Sequence, residues 1–124
     1  MSFLILRAYS MLIIFDLYLA RDNFAALHDK VRFYPLSKEC APPKTIEQTC
    51  SAVDMASIWY WKEVRCLQRS AATACLLKQF GVAAQMVIGA RQIPFKSHAW
   101  VEVDGHVVND KPYMRDLYAV LDRC

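Results

Sequence analysis

The stretch FKSHAWVEVDGHVVND, residues 95–110, alternates apolar and polar residues on both sides of an Asp-Gly pair. Alternation with a period of two indicates half-buried strands, and Asp-Gly between two such runs is typical of a β-hairpin turn. The preceding run, VAAQMVIGAR at 82–91, is apolar and rich in strand-forming residues. Together these segments predict a small antiparallel sheet.

Two registers of the hairpin are compatible with Asp-Gly. A three-residue loop at 103–105 places His98 opposite Asp110, where the two side chains share one face of the sheet with Cβ atoms ~5 Å apart. A two-residue type I′ turn at Asp104 and Gly105 instead places Ala99 opposite Asp110 and turns the carboxylate to the other face. The first register favours a histidine–carboxylate pair, and the second remains open.

The segment FLILRAYSMLIIFDLYLAR, residues 3–21, predicts a helix that is apolar on more than one face. Its longest uncharged run, 8–15, is far shorter than the ~20 residues that a bilayer crossing needs. We therefore expect a core helix and no membrane-spanning segment, with a protein partner or a membrane face as alternatives for the surplus apolar surface. The residues at helical spacing are Leu4, Ala8, Met11, Phe15 and Leu19, whereas Ile5, Ile13, Ile14 and Tyr18 fall outside that stripe.

Three further helices are predicted before the sheet. They cover residues 24–34, 45–64 and 66–80, and the last ends at Gly81, a residue suited to a left-handed helix stop. The segment 35–44 is predicted to be a linker, and the tail 113–123 to be a short helix or an edge strand. Neither Gly nor Pro separates the helix 45–64 from the one at 66, so nothing local marks a break there.

Length and composition favour one compact α+β domain. The chain has 124 residues, 56% of them hydrophobic, and we divide it into a helical region with its linker at 1–44 and a core at 45–124. The net charge of +3 comes from scattered basic residues, so we expect no nucleic-acid partner. The five cysteines, at 40, 50, 66, 75 and 124, form no CxxC pair, which predicts reduced thiols in a cytosol and neither a metal site nor a cofactor.

Cys66, at the predicted start of a helix, is the candidate nucleophile, because unpaired backbone amides and the helix dipole stabilise a thiolate there. His98 is the candidate base, Asp110 the candidate orienting acid, and the backbone N–H of Cys66 the candidate oxyanion donor. Asp104 is a second candidate acid, although its loop position favours a turn role. Trp100, Trp59 and Arg69 are candidate substrate-binding residues, with core packing or helix support as the alternative for each.

The stretch CLQRSAATACLLKQFGVAAQMVIGARQIPFKSHAWVEVDGHVVND, residues 66–110, followed by AVLD at 119–122, resembles the leader peptidases of lasso-peptide biosynthesis. The similarity covers roughly residues 60–124. These enzymes are transglutaminase-like cysteine proteases, so the resemblance implies a papain-like core with N-terminal helices packed on a small antiparallel sheet. It also implies a triad in which Cys66 is the nucleophile, His98 the general acid/base and Asp110 the orienting acid. Arg65 departs from the pattern, since a turn residue such as proline is expected before the cysteine.

The resemblance further implies that the chain removes the leader from a ribosomally made lasso-peptide precursor, freeing an amine that a separate lasso cyclase joins to a side-chain carboxylate. We expect a separate leader-recognition protein as partner, because residues 1–44 leave no room for a fused one, and we expect the bacterial cytoplasm as location. The alternatives are a transglutaminase-type acyl transferase, which uses the same triad, and a non-catalytic leader-binding or scaffold module. The residues do not predict the precursor or the oligomeric state.

Overall fold

Helices come first along the chain, and the strands follow. In the computed structural model, which describes residues 2–38, 42, 44–92 and 95–124, the described residues form five helices and four strands. Part of the predicted linker 35–44, including Cys40, lies outside the described residues. The elements are α1 (Ser2–Ala20), α2 (Phe24–Arg32), α3 (Lys44–Trp59), α4 (Cys66–Gln79), β1 (Ala84–Gln92), β2 (Phe95–Val103), β3 (His106–Val107), α5 (Met114–Leu117) and β4 (Ala119–Arg123).

The four strands form one antiparallel sheet in the order β3-β2-β1-β4. Strands β1 and β2 pair without interruption from Ala84 opposite Val103 to Gln92 opposite Phe95. Strand β4 pairs with the outer side of β1 with an irregularity between Ile88 and Gly89. The predicted tail 113–123 is thus a short helix followed by an edge strand, and the predicted α+β fold, with N-terminal helices on a small antiparallel sheet, is confirmed.

The sheet has one face toward the helices and one toward the C-terminal tail. On the helical face, Met86 and Val101 join the main core, which includes Leu12, Phe15 and Leu76 from α1 and α4. On the opposite face a smaller cluster forms from Val87, Trp100, Met114 and Tyr118. Because side chains alternate along a strand, His98, Trp100 and Glu102 share this second face.

Helix α1 is a core helix with an exposed apolar back. Ala8, Leu12 and Phe15 are fully buried, whereas Phe3 and Leu6 are exposed. By length and composition α1 is also apolar enough to cross a membrane, with a mean hydropathy of 1.8 over Phe3–Ala20, of which 22% is buried. The buried face agrees with the predicted core role and adds Leu12 to the predicted stripe.

Helix α3 ends earlier than predicted, at Trp59 rather than at residue 64. The cause is tertiary: the Tyr60 hydroxyl donates a hydrogen bond to Asp16 Oδ2 (2.7 Å) on α1, and its ring packs on Tyr9 with a centroid distance of 5.1 Å. Docking Tyr60 in this way turns residues 60–65 into a loop. That loop lets a new helix begin at residue 66 without the Gly or Pro that a local break would need.

The β2–β3 hairpin adopts the two-residue turn, so the three-residue loop that placed His98 opposite Asp110 is wrong. Val103 pairs with His106 and Glu102 with Val107. Asp104 (φ 51°) and Gly105 (φ 78°) both lie in the left-handed region, which is the requirement of a type I′ turn. A type I′ turn is favoured in two-residue hairpins because its backbone twist matches the right-handed twist of the flanking strands.

Candidate active site

Helix α4 begins at Cys66, and its start is fixed to α1 through a buried glutamine. Arg65 is extended and precedes the helix, and its N–H donates to Gln68 Oε1 (3.4 Å). Gln68 Nε2 donates to the Leu12 carbonyl (2.8 Å). The first backbone bond of the helix runs from Arg69 N–H to Arg65 O, so the N–H of Cys66 lies before the regular ladder, where a developing oxyanion can use it.

Residues 66, 69 and 70 share one face of α4, because positions three and four apart lie above each other on a helix. Ser70 Oγ donates to the Ala99 carbonyl (3.1 Å), and Asn109 Nδ2 donates to Ser70 Oγ (3.2 Å). Arg69 Nη2 lies 3.9 Å from Asp110 Oδ2. The face that carries Cys66 is therefore directed at β2 and at the bend that holds Asp110.

Cys66 and His98 lie toward the same end of the sheet. Ser70 touches Ala99, and the other end of α4 leads into Ala84, which pairs with Val103. Helix α4 and strand β2 therefore run parallel from the first contact to the second. Cys66 lies about 6 Å beyond Ser70 along the helix axis, and His98 lies about 3 Å beyond Ala99 along the strand, both in the same direction. The half-buried Cys66 and the half-buried His98 therefore both lie toward the end of the α4–β2 contact where the helix begins.

His98 and Asp110 are hydrogen-bonded, with 2.6 Å between Nε2 and Oδ2. Burial alone raises the pKa of Asp110, but the hydrogen bonds from His98 and from the Lys111 N–H (2.8 Å) outweigh it and hold the pKa below its usual value. With Nε2 held by the carboxylate, Nδ1 is the nitrogen left for the thiol, and within the described ranges it has no hydrogen-bond partner. The pair has the arrangement that a general base needs.

The bend at Asn109 explains why His98 and Asp110 are hydrogen-bonded although the two-residue turn would place their side chains on opposite faces of the sheet. Strand β3 ends at Val107. Beyond it, the Val101 N–H donates to the side-chain Oδ1 of Asn109 (2.7 Å) and not to a backbone carbonyl of a continuing strand. This turns the chain and returns Asp110 to the face of His98. Asn109 was not among the predicted site residues, although a polar residue directly before the candidate acid is the signal that a strand ends there.

A sequence model of the family described as Transglutaminase-like superfamily matches residues 11–123 of this chain. The chain belongs to the transglutaminase-like superfamily. It is also 48% identical over 56 residues to the Microcin J25-processing protein McjB of Escherichia coli. That match covers 45% of this chain and 27% of McjB, so the chain matches little more than a quarter of that protein's length. No solved structure matches. The transglutaminase-like resemblance stated from the sequence is confirmed.

Three other cysteines within the described part of this transglutaminase-like chain differ from Cys66 in their surroundings. Cys50, Cys75 and Cys124 are buried, and burial raises their pKa values to about 11, 12 and 11 respectively. At neutral pH these thiols stay protonated, and thiols react as thiolates. Among the described residues, no group of three or more His, Cys, Asp or Glu side chains is placed to hold a metal ion.

Two aromatic rings enclose the imidazole of His98. Tyr118 stacks on it with centroids 5.6 Å apart and an interplanar angle of 29°, and Trp100 lies at 6.2 Å. Trp100 is fully buried, so its surface faces the protein and His98 rather than a ligand. Tyr118 comes from the C-terminal tail, and no sequence pattern linked it to the site.

A buried carboxylate holds Trp100 in place. Glu102, which is 1% exposed, accepts from Trp100 Nε1 (2.8 Å) and from Arg123 Nη1 (2.5 Å). Burial alone would raise the pKa of Glu102. The two hydrogen-bond donors and the nearby Arg115 outweigh burial, so the pKa of Glu102 is lowered from its ordinary value. The alternation of positions 98, 100 and 102 is the signal that these three side chains share a face.

Arg69 and Trp59 lie on the α3–α4 side of the site. Arg69 is half-buried and helps to line a cleft of about 390 Å³ beside its contact with Asp110. Trp59 is 74% exposed at the end of α3. Besides Arg69, the cleft is lined by Asp54, Ser57, Ile58, Glu63 and Val64. Both candidate substrate-binding residues therefore remain accessible at the surface, unlike Trp100.

Gly89 leaves the space that the two aromatic rings fill. It pairs with His98, and a Cβ there would lie 2.7 Å and 2.9 Å from the Trp100 ring and 2.9 Å from Tyr118 Cβ. We expect Gly89→Ala to lower the free energy of unfolding by about 1–3 kcal/mol, because the buried ring has nowhere to move. Urea denaturation followed by tryptophan fluorescence measures this.

The matched control for Gly89→Ala is Gly105→Asn. Gly105 has φ 78° and open space around the position of a Cβ, and asparagine tolerates this conformation in a type I′ turn. The control is expected to change stability by less than about 0.5 kcal/mol. A Gly89→Ala protein as stable as the Gly105→Asn protein would contradict the steric account.

Proposed function

We propose that this chain is a cysteine peptidase that removes the leader from a ribosomally synthesised lasso-peptide precursor. The observation that carries the proposal is the 2.6 Å hydrogen bond between His98 and Asp110, which lies beside Arg69 on the helix face that carries Cys66. Membership of the transglutaminase-like superfamily supports thiol chemistry at this site, and the similarity to a microcin J25-processing protein supports a precursor peptide as substrate.

In the proposed reaction His98 Nδ1 takes the proton of Cys66, and the thiolate attacks the scissile carbonyl. The Cys66 N–H donates to the resulting oxyanion. The C–N bond then breaks as His98 gives its proton to the departing amine, which becomes the N-terminus of the core peptide. His98 next takes a proton from water, the hydroxide attacks the thioester, and the leader leaves with a carboxylate while Cys66 regains its proton. Asp110 holds the Nε2–H tautomer throughout.

The proposed setting is the cytoplasm of a bacterium. A separate leader-recognition protein would deliver the precursor, and a lasso cyclase would consume the freed amine. The order of cleavage before cyclisation follows from the chemistry, because the amine must be released before a macrolactam can form. The proposal includes no cofactor, since the three side chains complete the proton transfers by themselves.

Mass spectrometry of the products tests the proposal. The chain is incubated with a precursor peptide and the leader-recognition protein of the same gene cluster, in the presence of a primary amine. The expected result is two fragments whose masses sum to the precursor plus one water. A leader fragment that carries the added amine would instead support the acyl transferase, because water and amines compete for the same thioester. An uncleaved precursor would support the non-catalytic alternative.

A further inference from the structure

Half of strand β2 has an open edge. Strand β3 pairs with β2 only at Glu102 and Val103, and the Val108 N–H adds one bond to the Val101 carbonyl. From Ala99 back to Phe95, no strand in the described part of the chain pairs with that side of β2. An unpaired row of N–H and C=O groups is a template for another extended chain.

The hydrogen-bond pattern shows which residues face this edge. Both backbone groups of Val101 point away from β1, since they bond to Asn109 and Val108. Antiparallel pairing alternates between such outward residues and residues that bond to the neighbouring strand. Ala99, Ser97 and Phe95 therefore direct their backbone groups outward. The Ala99 carbonyl already accepts a hydrogen bond from Ser70 Oγ. Ser97 and Phe95, in contrast, are exposed to solvent.

The open edge leads to the candidate nucleophile. Ser70 touches this edge at Ala99, and Cys66 lies one turn earlier on the same helix face, in the direction of Ser97. A peptide that pairs with this edge at Ser97 therefore lies beside the turn of α4 that carries Cys66. Because this edge lies beside the proposed nucleophile, the precursor peptide of the proposed function is the occupant that it suits.

We propose that the precursor binds as an added strand on this edge, with its backbone paired to Ser97 and its scissile carbonyl beside Cys66. The inference rests on the proposed function and specifies how the substrate is held: as an extended main chain rather than as a helix. Main-chain pairing supplies affinity with little dependence on side chains. Substrate recognition next to the cut should therefore depend on alternate peptide N–H groups.

A backbone N-methyl scan of the precursor tests the added strand. Single N-methyl groups are placed at each of six residues around the scissile bond, and KM and kcat are measured for each peptide. An N-methyl group on an N–H that pairs with β2 is expected to raise KM about tenfold, and the same group one residue away is expected to change KM by less than about twofold. The intervening peptides are controls of identical chemistry.

The outcomes separate this inference from the proposed function. If the unmethylated precursor is not cleaved, the proposed function fails. If it is cleaved but the scan shows no alternation, the added strand is overturned while the peptidase stands. An alternating pattern supports both.

A variant on the enzyme side tests the same edge. Ser97→Pro removes an outward N–H at a position where an edge strand tolerates proline, and we expect it to raise KM about tenfold. The control is Lys96→Ala, whose backbone groups face β1 and whose KM is expected to change by less than about twofold. An unchanged rate of Cys66 alkylation by iodoacetamide shows that the site is intact in both.

Two results of this variant would count against the proposal. The first is a Ser97→Pro protein with the KM of the Lys96→Ala protein. The second is a dimer in analytical ultracentrifugation that Ser97→Pro dissociates without any effect on cleavage, which would assign the edge to a second copy of the chain. Should Ser97→Pro fail to fold, the N-methyl scan decides alone.

Discussion

Replacing Cys66 with alanine is expected to lower kcat/KM for precursor cleavage at least about 10⁴-fold, because the substitution removes the only atom that forms the thioester. The oxyanion donor and the His98–Asp110 pair remain, but without a sulfur nucleophile they have no acyl-enzyme to form. The measurement is the rate of fragment formation by mass spectrometry at a fixed precursor concentration.

The fold should survive this substitution. Cys66 is half-buried at the first position of α4, and alanine has the highest helix propensity. The matched control is Cys75→Ala on the same helix, where the buried side chain packs in the core. That variant is expected to lose about 1 kcal/mol of unfolding free energy and to keep its cleavage rate. A Cys66→Ala protein that cleaves as fast as the Cys75→Ala protein would end the peptidase proposal.

The residues of the candidate site could be predicted from residues 66–110, but the contacts that position them could not. Local patterns are sufficient to place His98 on a strand, whereas the helix start at Cys66 depended on the family resemblance, since no Gly or Pro marks a break there. The hairpin register was wrong, yet His98 and Asp110 still meet, since the chain leaves the strand at Asn109. A register argument assumes that pairing continues to the residue of interest, and the sequence alone does not show where pairing stops.

Long-range contacts account for the other differences. The end of α3 depends on a hydrogen bond between Tyr60 and Asp16, 44 residues apart. Tyr118 reaches His98 because α5 folds back over the sheet, and helical or strand periodicity carries no information about that return. The core face of α1 was predicted almost completely, because a helix that packs on neighbours repeats its apolar positions locally.

Asparagine at position 110 is expected to lower kcat about 10²–10⁴-fold, the effect that a wrong histidine tautomer has in catalytic triads. The carboxylate of Asp110 only accepts hydrogen bonds, so it requires the proton on His98 Nε2 and leaves Nδ1 free to take the thiol proton. A carboxamide can present its NH₂ instead, which favours the tautomer with the proton on Nδ1. That tautomer cannot act as the base.

The control for Asp110→Asn is Asp104→Asn in the hairpin turn. Asp104 has φ 51°, and Asn-Gly is as well suited to a type I′ turn as Asp-Gly, so both cleavage and stability should stay near those of the wild type. This pair of variants also separates the two candidate acids of the sequence analysis. Equal activity of the Asp110→Asn and wild-type proteins would remove Asp110 from the triad.

The pH dependence of stability gives an independent test of the same contact. The folded-state pKa of Asp110 is lowered, so its stabilising contribution is fully present above its unfolded value of about 3.9 and is lost as the pH falls through the lower folded value. The free energy of unfolding of the wild type should therefore exceed that of Asp110→Asn by more at pH 7 than at pH 3. A difference that grew toward acid pH would show that the carboxylate is destabilised in the folded chain, in which case it could not hold the imidazole.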